Sequence, residues 1–127
     1  MTQGSPAPRI LVADDDPFVR DVLTLNLEAE GFLVATCEDG EEARDLARAS
    51  RPDLVVLDVM MPGRDGLAVL SSLKSNPSTR DIPVVLLTAR ATDADVWRGW
   101  QSGADYYLTK PFDLDGLLAF IGQLVRH

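Results

Sequence analysis

At 127 residues, 46% hydrophobic and 25% charged, the chain has the make-up of one globular domain, large enough for a core without disulfide or metal staples and too apolar to be disordered. Its net charge of −8 argues against a nucleic-acid-binding surface, because phosphates would be repelled, and fits a soluble protein or one with a cation site. No apolar run approaches the roughly 20 residues of a membrane span and no apolar signal core opens the chain, which places the protein in the cytoplasm.

Residues 1–8, rich in Gly, Ser and Pro, read as a flexible N-terminal tail before a domain spanning 9–127. Residues 10–13 form an apolar run that ends in Asp14-Asp15-Asp16. Pro17 suits a first helical turn with Asp16 as N-cap, and helix-spaced Phe18, Val22, Leu25 and Ala29 carry the helix through Glu30 until Gly31 stops it. Residues 33–37 are the next strand; Cys37, the single cysteine, reads there as a small inert core residue. Asp39-Gly40 opens a helix through Ser50 with Ala43, Leu46 and Ala47 facing inward, and Glu41, Glu42, Arg44, Asp45 and Arg48 as its solvated face. Residues 54–57, bracketed by Arg51-Pro52-Asp53 and Pro62-Gly63, read as a strand buried on both faces. Asp58 stands at its carboxyl end, where two readings are open: a helix cap or turn acid, and a group for chemistry.

A helix over 67–75 ends at Asn76-Pro77-Ser78, and 82–87 is a fourth strand followed by Thr88. Residues 93–102 form a helix bearing Trp97 and Trp100, closed by Gly103. Residues 106–108 are a fifth strand ended by Thr109-Lys110-Pro111, and Asp113 caps a last helix through Val125. Strand and helix alternate five times with short connections, which gives an α/β fold: a doubly wound, five-stranded parallel sheet with helices on both faces.

Parallel strands bring all their carboxyl ends to one edge, so Asp14, Asp15, Asp58, Thr88 and Lys110 converge although far apart in sequence. Carboxylates in one crevice repel unless neutralised, and an all-oxygen donor set with few protein ligands favours Mg2+ over Ca2+. An EF-hand is excluded by spacing, since Asp14-Asp15-Asp16-Pro17 lacks alternating acids and a central glycine. Lys110, one of two lysines against ten arginines, offers a point charge suited to a phosphate or carboxylate oxygen, and a threonine hydroxyl donates to the same oxygens. Asp58 then has a role as a carboxylate nucleophile that accepts a phosphoryl group.

Ile10-Leu11-Val12-Ala13-Asp14-Asp15-Asp16-Pro17, Leu57-Asp58-Val59-Met60-Met61-Pro62-Gly63 with Asp65-Gly66, Leu86-Leu87-Thr88-Ala89 and Gly103-Ala104-Asp105-Tyr106-Tyr107-Leu108-Thr109-Lys110-Pro111-Phe112 resemble the receiver domain of bacterial two-component response regulators. The resemblance covers nearly everything after Arg9 and implies the flavodoxin-like (βα)5 fold. It implies that Asp58 takes phosphate from the phosphohistidine of a histidine kinase or phosphotransfer protein. Mg2+ (or Mn2+) would be held by Asp15 directly, Asp14 partly through water, Asp58 and the Met60 carbonyl, with Pro62-Gly63 and Asp65-Gly66 as the turn aiming that carbonyl. Thr88 and Lys110 would bind phosphate oxygens, and the Lys110-Pro111 peptide would be cis. Thr88 would move toward the phosphoryl group and Tyr107 would fill the space behind it, reorienting the face of the fourth helix, fifth strand and last helix for partners. Met60 and Arg90 stand where receivers tune phosphate lifetime. Catalysis would be limited to the domain's own phosphorylation and dephosphorylation, so the resemblance implies a regulatory phosphoacceptor rather than an enzyme. A downstream protein target or a separate output domain would read the phosphate, with no nucleic-acid or membrane contact by this domain itself, as a monomer or a phosphorylation-dependent dimer.

Tyr106 stands where many receivers carry another acid. Trp97 and Trp100 have two readings, core filling or one exposed edge as a partner anchor, which quenching of their fluorescence separates. A haloacid-dehalogenase-type phosphatase shares the strand-end Asp and Mg2+, but Phe18 replaces its expected Thr or Val and there is no cap domain. A flavodoxin-like cofactor module would need hydroxyls and glycines where this chain has three acids.

Overall fold

The computed structural model describes residues 7–61, 65–88, 101 and 103–125. Their elements run β1 (Arg9–Ala13), α1 (Pro17–Ala29), β2 (Leu33–Cys37), α2 (Gly40–Ser50), β3 (Leu54–Asp58), α3 (Gly66–Ser75), β4 (Val84–Thr88), β5 (Tyr106–Thr109) and a C-terminal helix (Leu114–Val125). All strand pairs are parallel in the order β2-β1-β3-β4-β5. Central β3 and β4 bury every residue, as strands covered on both faces must.

Among the described residues, three strand-to-helix turns are made by an aspartate. Asp16, Asp39 and Asp65 accept the N–H groups of Phe18, Glu42 and Ala68 at 2.9, 2.8 and 2.8 Å, N-caps worth about 1 kcal/mol each. Alternation along the strands divides the core. Leu11, Ala13, Val55, Leu57 and Leu86 pack under α2 and α3, while Ile10, Val12, Val56, Val85 and Leu87 pack under Leu23 and Leu27 of α1 and Leu117 and Ile121 of the C-terminal helix.

Two expectations need correction. The stripe of α1 that meets the sheet is Val19, Leu23 and Leu27, whereas Phe18 and Leu25 are 73% and 72% exposed and Ala29 is exposed too. Both stripes have helical spacing and lie about 130° apart, so spacing alone does not choose between them; Phe18 and Val22 instead line a groove of about 420 Å³ with Pro111 and Phe112. The fourth strand begins at Val84 rather than Ile82, because the Ile82 N–H closes a turn onto the Thr79 carbonyl and Pro83 has no N–H to give the ladder, offering only its carbonyl to Val55.

Pro8 already joins the fold, its carbonyl accepting the Leu33 N–H at 2.9 Å. The remainder of the expected tail, residues 1–6, lies outside the described residues, as do the Pro62-Gly63 turn, Arg90 and the expected helix with Trp97 and Trp100. Among the described residues, no helix is long and apolar enough to cross a membrane.

Arg51 ends α2 in the left-handed conformation, φ 46° and ψ 68°, which costs a residue with a Cβ about 1 kcal/mol or more. Arg51→Gly is therefore expected to stabilise the domain by about 0.5–1 kcal/mol, part of the gain being offset by the freer unfolded chain. Urea unfolding measures this, and an unchanged or lowered midpoint would contradict it.

Candidate functional site

Four strand ends converge. Asp14 follows β1, is fully buried, and donates its N–H to the Cys37 carbonyl at 3.1 Å. Its Oδ1 accepts the Asp16 N–H at 2.9 Å, and its Oδ2 lies 2.8 Å from Lys110 Nζ. Asp58 ends β3 with 3% exposure; its Oδ1 accepts the Met60 N–H at 3.1 Å, and its Oδ2 accepts from Lys110 Nζ at 3.4 Å. Asp15 is exposed, and one oxygen from each of Asp14, Asp15 and Asp58 lies within 4.8 Å of the others.

Thr88 ends β4 in a buried position, one residue beyond Leu87, the register partner of Asp58. Its carbonyl accepts the Lys110 N–H at 2.7 Å, which fixes where the lysine leaves β5. The Lys110-Pro111 peptide is cis. Tyr107, opposite Leu86 on β5, is half-buried against the α2 and α3 side of the sheet. Its neighbour Tyr106 points to the opposite core and stacks on Phe120 with ring centroids 4.0 Å apart.

Burial, and next the charge of Asp14, push the Asp58 carboxyl up to about 7 against the pull of Lys110. Burial would lower Lys110, but its hydrogen bond and charge interaction with Asp14, joined by Asp58, outweigh that and hold the ammonium above its ordinary range. Two buried carboxylates thus share one lysine, a charge deficit that a cation would relieve. The donors are carboxylate oxygens, without the His or Cys that softer metals prefer, and one of them is open to solvent. That set fits a hard divalent ion which keeps part of its water.

Residues 10–122 match the model of the response regulator receiver domain. The chain belongs to the response regulator receiver domains. It is 45% identical over 119 residues to the DNA-binding dual master transcriptional regulator RpaA of Synechocystis, covering 94% of this chain and 49% of RpaA, so the receiver spans about half the length of that relative. A putative response regulator from Chloroflexus aurantiacus superposes with TM-score 0.88 at 30% identity, covering 95% of this chain and 99% of that one. The receiver domain of sensor histidine kinase PA1611 from Pseudomonas aeruginosa, solved with a magnesium ion coordinated in its active-site cleft, superposes with TM-score 0.86 at 27% identity, covering 95% and 99%.

The receiver fold thus gathers Asp14, Asp15, Asp58, Thr88 and Lys110 at one sheet edge, with Tyr107 on the adjoining strand and Met60 65% exposed beside Asp58. Cys37 is buried, and its thiol is pushed up to about 12 by burial and then by Glu42 and Asp39, which suits an inert core residue. Sequence reasoning missed Arg20, and it placed Gly66 in the turn after Asp58 without its steric role. Arg20 donates to the Asp14 carbonyl at 2.7 Å; its signal was a cation near the start of a helix, where the dipole disfavours one. Gly66 packs against the Asp58 backbone, where an added Cβ would lie 2.2 Å from the Asp58 carbonyl oxygen.

Proposed function

We propose that Asp58 is the phosphoacceptor of this receiver, in a folded unit spanning 9–127, and that the domain accelerates only its own phosphorylation and dephosphorylation. The observation that carries this reading is a buried carboxylate at the end of a central strand, within 4.8 Å of two further carboxylates and 3.4 Å from a lysine. An Asp58 oxygen bonds to phosphorus as the phosphorus–nitrogen bond of a donor phosphohistidine breaks, and the departing imidazole nitrogen takes its proton from solvent. Asp14, Asp15, Asp58 and the Met60 carbonyl would hold Mg2+, with Mn2+ as its substitute. When bound, the ion neutralises the carboxylates and the incoming phosphoryl charge. Lys110 is already anchored between Asp14 and Asp58, so it meets a phosphoryl oxygen without reorganising.

The acyl phosphate adds about −1.5 to −2 of charge and new acceptor oxygens. The Thr88 hydroxyl turns to them and Tyr107 follows, while Met60 and Arg90 set how easily water reaches the phosphorus. A histidine kinase or phosphotransfer protein in the cytoplasm is the donor. The reader is a protein target or an output domain, for which the twofold greater length of RpaA is the support.

Acetyl phosphate tests this reading. With Mg2+ it is expected to label the protein to about one phosphoryl group per chain, lost on chelation and in Asp58→Asn. Sustained hydrolysis of phosphate esters without a labelled protein would instead favour a phosphatase.

A further inference from the structure

Arg20 stands one turn into α1 with 19% of its side chain exposed. Its Nη1 donates to the main-chain carbonyl of Asp14 at 2.7 Å, and its Nη2 lies 3.5 Å from Glu38 Oε2. Glu38 follows Cys37, whose carbonyl accepts the Asp14 N–H at 3.1 Å. Both main-chain groups of Asp14 are therefore tied to the end of β2, the N–H directly and the carbonyl through the guanidinium.

The carbonyl that Arg20 holds belongs to the Asp14–Asp15 peptide plane, and that plane sets where the Asp15 Cα stands. Asp14 has other restraints, through Asp16 and Lys110. Asp15 is exposed, so its backbone must do more of the work of aiming its carboxylate. Resting on the reading of Asp14 and Asp15 as metal ligands, we infer that Arg20 is a positioning residue for the cation site. It fixes the Asp14–Asp15 peptide so that the Asp15 carboxylate is presented beside Asp14 and Asp58. A planar fork serves this task because it reaches a carbonyl and a carboxylate together in one geometry.

Charge and positioning give opposite signs, which makes the inference testable. A guanidinium near a cation site repels the ion, so on charge alone its removal would tighten metal binding. Positioning requires the reverse, and groups that orient metal ligands are worth on the order of 10–100-fold in affinity. Mn2+ titration of the unphosphorylated protein, followed by the electron paramagnetic resonance of the free ion, is expected to show about tenfold weaker binding in Arg20→Gln. Arg20→Lys, whose ammonium can still donate to the Asp14 carbonyl but cannot hold it and Glu38 in one planar geometry, is expected to fall between Arg20→Gln and wild type. Acetyl phosphate labelling of Asp58 should return to the wild-type extent in both variants once Mn2+ is raised to saturation.

Wild-type or tighter Mn2+ affinity in Arg20→Gln with an unaltered circular dichroism spectrum overturns the inference. Should Arg20→Gln fail to fold, wild-type affinity in Arg20→Lys overturns it. A wild-type protein that binds no Mn2+ overturns the metal reading itself and this inference with it, whereas wild-type binding with unaltered variants overturns this inference alone.

Discussion

Asp58→Asn is expected to make the metal-free protein more stable near pH 8 by on the order of 2 kcal/mol, while ending phosphoryl uptake. In the folded state, burial and then the charge of Asp14 raise the Asp58 carboxyl from 3.8 to about 7. A carboxyl raised in this way binds its proton more tightly in the folded than in the unfolded chain. Its ionisation therefore opposes folding, and stability falls as pH rises from about 4 through about 7. Asparagine keeps the size and can still accept the Met60 N–H, and Lys110 keeps Asp14 at 2.8 Å. The gain should be present near pH 8 and vanish near pH 4, where wild-type Asp58 is itself neutral. Added Mg2+ should stabilise wild type and do little for the variant. Thermal melts at the two pH values, with and without Mg2+, measure all of this; an equal gain at both pH values would mean that the charge of Asp58 is not its source.

Gly66→Ala is expected to cost about 3 kcal/mol and to lower Tm by on the order of 10 °C. The added Cβ would stand 2.2 Å from the Asp58 carbonyl oxygen and 2.7 Å from the Val59 Cα. Both are main-chain atoms, so no rotamer change relieves the overlap and the backbone must move. The Gly66 N–H also donates to the Val59 carbonyl at 2.8 Å, so the shift is transmitted to the residue after Asp58. Labelling by acetyl phosphate should consequently slow by more than the unfolded fraction explains. Gly122 provides the control, since an added Cβ there meets nothing within 4 Å. Gly122→Ala in the C-terminal helix should stabilise by about 0.5–1 kcal/mol. Equal effects of the two substitutions would remove the steric argument.

Most of the fold was legible because its signals are local and repeated. The apolar runs at 10–13, 54–57 and 82–87 marked three strands to within two residues, and Asp16 and Asp39 marked helix starts within a residue of where they fall. Where a choice depended on tertiary contact, sequence did not suffice. The face of α1 is such a case, since Phe18/Val22/Leu25 and Val19/Leu23/Leu27 both have helical spacing and only docking on the sheet selects the second. The convergence of Asp14, Asp15, Asp58, Thr88 and Lys110 on one edge follows from parallel topology and was readable for that reason. Arg20 was not readable as a site residue, nor was the steric role of Gly66, because each acts on main-chain atoms of another segment. A missing Cβ against a neighbouring strand leaves no pattern in the chain itself, and a cation near a helix start does not say which carbonyl it holds.

The central claim is that Asp58 carries the phosphoryl group, and reductive trapping tests it most directly. The protein is phosphorylated by acetyl phosphate with Mg2+, treated with borohydride to reduce the acyl phosphate, digested, and the modified residue located by mass spectrometry. The modification is expected at Asp58 and nowhere else, absent when Mg2+ is chelated. Modification at Asp14, Asp15 or a residue outside this site, or an unmodified Asp58 peptide in a fully labelled sample, would contradict the account.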